Sequence, residues 1–171
     1  FTHPLMLGVL LLSLPLIWAG RSLQVPLAAL VLVSLAPPVL YTVAQSALHG
    51  DWPRRILYLP IIILIGTGIA WSTSRAVWQG IVRWGGAFAR TPKFCLEGRR
   101  GRWADSVYRL QPDWTIIGEM ALALYAGAGI GVAVARGNYG AIPFLAIYAA
   151  GFGLVAVLGL GQWAVARRPV R

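Results

Sequence analysis

Charged residues are scarce in this sequence: Asp, Glu, Lys and Arg together make up 12% of its 171 residues, whereas hydrophobic residues make up 58%. A soluble domain carries about 25% charged residues, so this composition excludes an ordinary soluble globular protein. Several apolar runs approach the ~20 residues that a helix needs to cross a bilayer. We therefore expect an all-α integral membrane protein, with the lipid bilayer as its first partner.

Cysteine and acidic residues are also rare. The one cysteine, Cys95, excludes a disulfide framework within the chain. Neither the five acidic residues nor the two histidines have the spacing of a metal site or of an acid–base pair, so we predict no metal ligand and no catalytic residue in this chain. The net charge of +10 is typical of the cytoplasmic loops of membrane proteins, and we do not expect nucleic acid as a partner.

Four apolar segments form two pairs, and a short polar connection joins the members of each pair. Short connections place consecutive helices antiparallel. We therefore predict a first transmembrane hairpin in residues 1–48 and a second hairpin with a basic tail in residues 113–171. The four predicted spans are approximately residues 4–19, 25–47, 114–134 and 142–165.

Residues 49–85 differ from both hairpins because apolar runs and polar residues are mixed there. A proline and two glycines interrupt the apolar run 56–71, at Pro60, Gly66 and Gly68. Such breaks favour a broken, tilted or re-entrant segment. Three polar residues then share one helical face, as in a helix that lies on a membrane surface: Arg75, Gln79 and Arg83. We predict an interfacial or re-entrant helical segment.

Most cations lie in residues 86–112 and at the C-terminus, which predicts that both are cytoplasmic. This topology needs four crossings, with residues 56–71 entering and leaving the membrane from the same side. Five crossings would instead place the N-terminus outside, and the sequence leaves both arrangements open. We expect the bacterial inner (plasma) membrane as the location.

Residues 86–112 form a basic polar loop that we predict to be cytosolic. Within it, the run Phe88-Ala-Arg-Thr-Pro-Lys93 presents an aromatic ring, a hydroxyl and two cations. Such a set suits a nucleotide diphosphate, because cations pair with phosphates and a hydroxyl donates a hydrogen bond. A solvated positive-inside loop would contain the same residue types, and the residues alone leave both interpretations open.

The same run resembles the gating loop of processive family-2 glycosyltransferases, the cellulose synthase and cellulose-synthase-like group. Phe88, Thr91 and Lys93 match the FxVTxK motif of that loop, and Arg90 stands where the family has Val. The order of elements is also similar: a membrane hairpin, a Trp- and Arg-rich interface segment, the loop, and a second hairpin with a basic end. The chain therefore resembles the C-terminal membrane region of this family over nearly its whole length.

The resemblance implies a membrane channel that passes a growing polysaccharide through or into the membrane. It implies nucleotide or gating contacts for four residues of the loop: Phe88, Arg90, Thr91 and Lys93. The family's catalytic domain holds a divalent metal, Mg²⁺ or Mn²⁺, on the diphosphate of a nucleotide-sugar, and its DxD and QxxRW motifs do not occur in this sequence. We therefore expect a piece of a longer inverting glycosyltransferase that does not transfer sugar by itself.

Glu119 is the remaining candidate residue, because a carboxylate inside a predicted span is often functional. It is a possible contact for a sugar in a channel, and a hydrogen-bonded structural role is the alternative. The alternative function for the whole chain is a non-catalytic transmembrane subunit that packs against other subunits of a larger membrane complex. The GxxxG pair Gly127 and Gly131 is compatible with it, because small residues allow helices to approach closely.

Overall fold

The computed structural model describes residues 2–20, 27–82 and 114–166, and for 27–37 and 165–166 it describes the backbone alone. Every regular element within these ranges is helical, and none of the described residues lies in a strand. The all-α prediction is confirmed for this part of the chain. The helices are α1 (Thr2–Trp18), α2 (Leu27–Leu48), α3 (Trp52–Ile56), α4 (Leu59–Gly68), α5 (Ala70–Val82), α6 (Thr115–Ala135) and α7 (Ile142–Ala166), with a 3-10 turn at Tyr139–Ala141 before α7.

Two of the described helical runs are long and apolar enough to cross a membrane. One is the 21-residue helix α6, and the other is the 26-residue run Tyr139–Ala164, which contains the 3-10 turn and most of α7. Only a minority of the residues in each run is buried inside the protein, as in helices whose outer faces contact lipid. These two runs are consistent with the integral membrane protein that the composition predicts.

Helices α6 and α7 make the most extensive contact in the described part of the chain. The two helices are antiparallel: Gly129, in the second half of α6, lies against Leu145 near the start of α7, and Gly159 near the end of α7 lies against Ile116. Backbone bonds within each helix satisfy the polar groups of the main chain, which a lipid environment requires. This pair is the frame on which the other helices pack.

Helix α1 packs on this frame parallel to α6. The hydroxyl of Tyr125 on α6 donates a hydrogen bond to the carbonyl of Leu11, 2.6 Å away, and that of Tyr148 on α7 donates to the carbonyl of Met6, 3.3 Å away. Both tyrosines thus fix α1 by its backbone, independently of its apolar side chains. The buried core around these contacts comprises Leu7, Leu10, Ile17, Ala70, Ala126, Ala133, Leu145, Tyr148 and Phe152.

Helices α1 and α6 both end at a glycine in the left-handed region. Gly20 has φ +68° and Gly137 has φ +67°, a conformation that side chains of L-residues rarely adopt. After α6, the N–H groups of Gly137 and Asn138 bond back to carbonyls of the last helical turn at 3.1 and 2.8 Å. This is the Schellman arrangement, which satisfies carbonyls that would otherwise lack a partner at the helix end.

Helix α4 crosses α7 where two glycines face each other. A methyl group on Gly68 would overlap the carbonyl of Gly151 and the side chain of Val155. Gly151 lies near the middle of α7, so this crossing lies near the middle of a candidate span. The chain then bends by 41° at Ile69 and continues as α5.

The bent helices α3 to α5 occupy the stretch for which the sequence predicts an interfacial or re-entrant segment. Pro60 lies in the first turn of α4, where a missing N–H costs no hydrogen bond within the helix. A broken span and a re-entrant loop both fit this geometry, and the chain has a third span if the bent pair counts as one crossing. Among the described residues, α2 packs on α3 whereas α1 packs on α5 and α6, so the hairpin of α1 with α2 stays a prediction.

The α4–α7 crossing predicts a difference between two glycines of the same helix. We expect Gly68→Ala to lower the free energy of unfolding by about 1–3 kcal/mol, because the added methyl overlaps backbone that cannot move aside without strain. Gly66→Ala is the matched control, since an added Cβ there has no atom within 4 Å, and it should leave stability unchanged or slightly raised. The measurement is unfolding of both variants in detergent micelles, and equal stabilities would contradict the crossing.

Candidate functional site

The four loop residues for which the sequence predicts nucleotide or gating contacts lie outside the described residues: Phe88, Arg90, Thr91 and Lys93. The helices that flank this stretch are described. Helix α5 ends at Val82 on one side of it, and Trp114 precedes α6 on the other. The candidate site is therefore described through α5, which precedes the loop, and α6, which follows it.

Glu119 lies in the second turn of α6 and is only 5% exposed. It shares its helical face with the other buried residues of α6, which are Ala126, Gly129 and Ala133. The structure thus places this carboxylate on the inward face of a helix that is long and apolar enough to span a membrane. Burial of an acidic group in such a position is costly and is tolerated where polar groups surround it.

Trp71 brings a polar group of α5 to the same turn of α6. Its indole packs so closely on Gly118, the residue before Glu119, that a Cβ at position 118 would overlap the indole nitrogen. The indole N–H is buried, and it has no hydrogen-bond partner among the described residues. A buried donor without a partner costs about 1–3 kcal/mol of desolvation, so this N–H is a group that a polar ligand or water would stabilise.

Ser74 follows Trp71 by one helical turn and therefore lies on the same side of α5. Its hydroxyl is also buried and also lacks a hydrogen-bond partner within the described part of the chain. Together, the indole N–H, this hydroxyl and the carboxylate of Glu119 provide a donor, a group that both donates and accepts, and an acceptor. We refer to Trp71, Ser74 and Glu119 as the α5–α6 polar cluster.

The α5–α6 polar cluster has the chemistry of a site for hydroxyl groups or water. The indole N–H of Trp71 and the hydroxyl of Ser74 complement a ligand that carries several hydroxyls, because each hydroxyl both donates and accepts. The sequence interpretation identified Glu119 and missed the other two residues. The signal for them was the polar run Trp71-Ser-Thr-Ser74, which directly follows an apolar segment of membrane character.

A second group of charged residues lies at the turn between α2 and α3, apart from this cluster. The guanidinium of Arg55 donates a hydrogen bond to the carboxylate of Asp51 at 2.9 Å. This hydrogen bond lowers the pKa of Asp51 below its ordinary value, with a smaller contribution from the positive charge of Arg55. Both side chains are well exposed, so we attribute little stability to the pair.

A divalent metal, which the family resemblance implies for the catalytic domain, does not fit the described residues of this chain. No three His, Cys, Asp or Glu side chains come together in residues 2–20, 27–82 and 114–166 to form a possible metal site. The two carboxylates in these ranges, Asp51 and Glu119, belong to different groups of residues. No chemical step is therefore assigned to a metal in this part of the protein.

Comparison with known proteins does not assign the chain to a family. No protein-family model matches it, and no curated protein or solved structure shows significant similarity to it. The function must therefore be argued from the residues and their geometry.

The hydroxyl of Ser74 has no hydrogen-bond partner among the described residues, which predicts an unusual response to its removal. Ser74→Ala should leave the free energy of unfolding unchanged or raise it by up to ~1 kcal/mol, because no hydrogen bond is lost and a buried polar group is removed. Ser13→Ala is the matched control: the Ser13 hydroxyl is buried and donates to the Leu10 carbonyl at 2.6 Å, so its loss should cost about 1 kcal/mol. Unfolding in micelles checks both, and equal losses would show that Ser74 is already hydrogen-bonded.

Proposed function

We propose that this chain is the membrane channel and gating portion of a processive family-2 glycosyltransferase, an enzyme that polymerises sugar from a nucleotide-sugar and passes the polysaccharide through or into the membrane. The observation that carries the proposal is the place of residues 83–113 in the sequence, between α5 and α6. This stretch contains Phe88, Thr91 and Lys93, and it joins α5 to α6, the two helices that meet at the α5–α6 polar cluster.

The flanking helices support a gating role for the loop. Trp71, near the start of α5, packs on Gly118 of α6, so the helix that precedes the loop in the sequence contacts the helix that follows it. In this proposal a loop between two helices that contact each other closes over a bound nucleotide and opens again. In this proposal Lys93 and Arg90 pair with the diphosphate, Thr91 donates to it, and Phe88 seats the loop by packing.

The α5–α6 polar cluster supports the channel part of the proposal. A polysaccharide presents many hydroxyls, and a path for it through a bilayer needs donors and acceptors that face inward. The buried indole N–H of Trp71 and the hydroxyl of Ser74 meet this need beside the start of α6. The catalytic base and its metal would lie in a separate cytosolic domain, since this chain contains neither DxD nor QxxRW.

The proposed orientation places residues 86–112 and the C-terminus in the cytoplasm of a bacterial cell, with the chain in the inner membrane. Helices α1 and α6 run in the same direction, so in this proposal both run outward from the cytoplasmic side and end at Trp18 and Ala135. The nucleotide-sugar is cytoplasmic in this arrangement, and the end of the bundle at Asn138 faces outside.

An alternative is that the chain is a non-catalytic subunit of a larger membrane complex. The observation that favours it is the outer face of α6, where an added Cβ at Gly127 or Gly131 would meet no atom of the described residues. Leu124 on the same face is 73% exposed. Small residues on an open helix face permit close approach of another transmembrane helix.

The gating role predicts a specific effect of two loop substitutions. In membranes that contain the native protein, Lys93→Ala and Thr91→Ala should lower polymer synthesis from nucleotide-sugars at least about tenfold, the effect of losing one charge-assisted hydrogen bond worth 1.5–3 kcal/mol. The assay supplies UDP-glucose, UDP-N-acetylglucosamine and GDP-mannose in turn and measures labelled polymer. Arg100→Ala is the matched control, because it removes a cation from the same loop outside the motif.

Normal membrane insertion of all three loop variants is required for this comparison. Unchanged synthesis in the Lys93 and Thr91 variants would refute the gating role. An equal loss of synthesis in the Arg100 variant would show that synthesis depends on the total positive charge of the loop and not on the motif.

The proposed orientation can be tested by cysteine labelling, because the chain has one native cysteine. In intact cells, Cys95 should react with a membrane-impermeant maleimide only after the membrane is permeabilised. A cysteine at Asn138, introduced in a Cys95→Ser background, should react without permeabilisation. The reverse pattern would overturn the orientation and, with it, the cytoplasmic position of the loop.

A further inference from the structure

A cavity of about 250 Å³ opens at the end of the bundle where α1 and α6 terminate. It is lined by Ile17, Gly20, Arg136, Gly137 and Asn138. Because α6 is a membrane-spanning helix and ends at this cavity, the cavity lies near the boundary between hydrocarbon and water, at the depth of lipid headgroups. It is separate from the α5–α6 polar cluster, which lies at the opposite end of α6.

Arg136 provides a positive charge at this cavity, and Trp18 holds it in place. The guanidinium carbon of Arg136 lies 5.0 Å from the centroid of the Trp18 ring, which is a cation–π contact. Neither described carboxylate neutralises this arginine, since Asp51 pairs with Arg55 and Glu119 lies near the other end of α6. The charge is therefore available to an anion from outside the described part of the chain.

The surrounding groups suit a phosphate. A guanidinium presents a planar fork of N–H donors that matches phosphate oxygens, and the side-chain amide of Asn138 adds a donor at the same cavity. The carbonyls of Ala133 and Val134, which would repel an anion at the end of α6, are engaged by the glycine cap. The cavity is also several times larger than the ~30 Å³ that one water molecule occupies.

We propose that this cavity binds a phosphate group, supplied by the headgroup of an anionic lipid. Arg136 is the charged contact, Trp18 holds its guanidinium, and Asn138 is the second donor. The lipid source follows from the position of the cavity at the end of a spanning helix. This site does not depend on the glycosyltransferase proposal, because it needs only a chain embedded in a membrane.

Native mass spectrometry of the full chain in neutral detergent tests the site. The protein is titrated with phosphatidylglycerol in one arm and with inorganic phosphate in the other. Arg136→Gln should weaken retention of phosphatidylglycerol about fivefold, the effect of one basic residue near an anionic surface. Arg54→Gln is the matched control, because Arg54 is an exposed arginine on α3 far along the chain from the cavity, and it should leave retention unchanged.

Arg136→Lys separates binding from folding. It keeps the positive charge but lacks the planar fork, so its retention of phosphatidylglycerol should lie between that of the wild type and that of Arg136→Gln. Phosphatidylglycerol retention without an inorganic phosphate adduct identifies the lipid as the ligand, whereas an adduct that Arg136→Gln abolishes identifies free phosphate. Three results would each overturn the proposal. The first is equal retention by wild type and Arg136→Gln, and the second is a loss in Arg54→Gln equal to that in Arg136→Gln. The third is a loss in Arg136→Lys as large as that in Arg136→Gln.

Discussion

The close crossing of α4 and α7 at Gly68 and Gly151 is the constraint on which the arrangement of the bundle depends. In a bilayer, apolar side chains gain little from packing on each other rather than on lipid, so helices associate by close contact between small residues and by hydrogen bonds. The two glycines let the backbones of α4 and α7 approach directly. The 41° bend that follows then directs α5 toward α1 and α6.

This packing creates two polar sites, one near each end of α6. The α5–α6 polar cluster exists because the bend brings Trp71 onto Gly118, next to the buried Glu119. The cavity at Arg136 exists because α1 and α6 run in parallel and end together at two glycine caps. We interpret the first as part of the path for a hydroxyl-rich polymer and the second as a contact with the lipid headgroups that surround the bundle.

The amino-acid pattern predicts where the helices begin and end better than it predicts which helices contact each other. The apolar runs predict α1, α2, α6 and α7 closely, since hydrophobic length is a local property. The contact of α1 with α5 and α6 was not predicted, because it depends on which small residues meet across the bundle. Trp71 and Ser74 were missed for the same reason: their importance comes from burial against Gly118 and α6, and their own local sequence resembles an ordinary interfacial helix.

The assignment of the loop depends on the short motif formed by Phe88, Thr91 and Lys93. The sugar transfer that the motif implies requires a catalytic domain on the same native polypeptide as this membrane bundle. The absence of DxD and QxxRW from these 171 residues makes that domain a requirement of the account. Without it, the same helices and the open glycines of α6 fit a subunit that packs against a larger complex.

The most direct test of the account is the intact mass of the native protein isolated from membranes, compared with the 18.5 kDa of this chain. The account predicts a much larger polypeptide, because the membrane portion must be continuous with a cytosolic domain that bears DxD and QxxRW. A native mass near 18.5 kDa would contradict it and would leave the bundle as a separate membrane subunit.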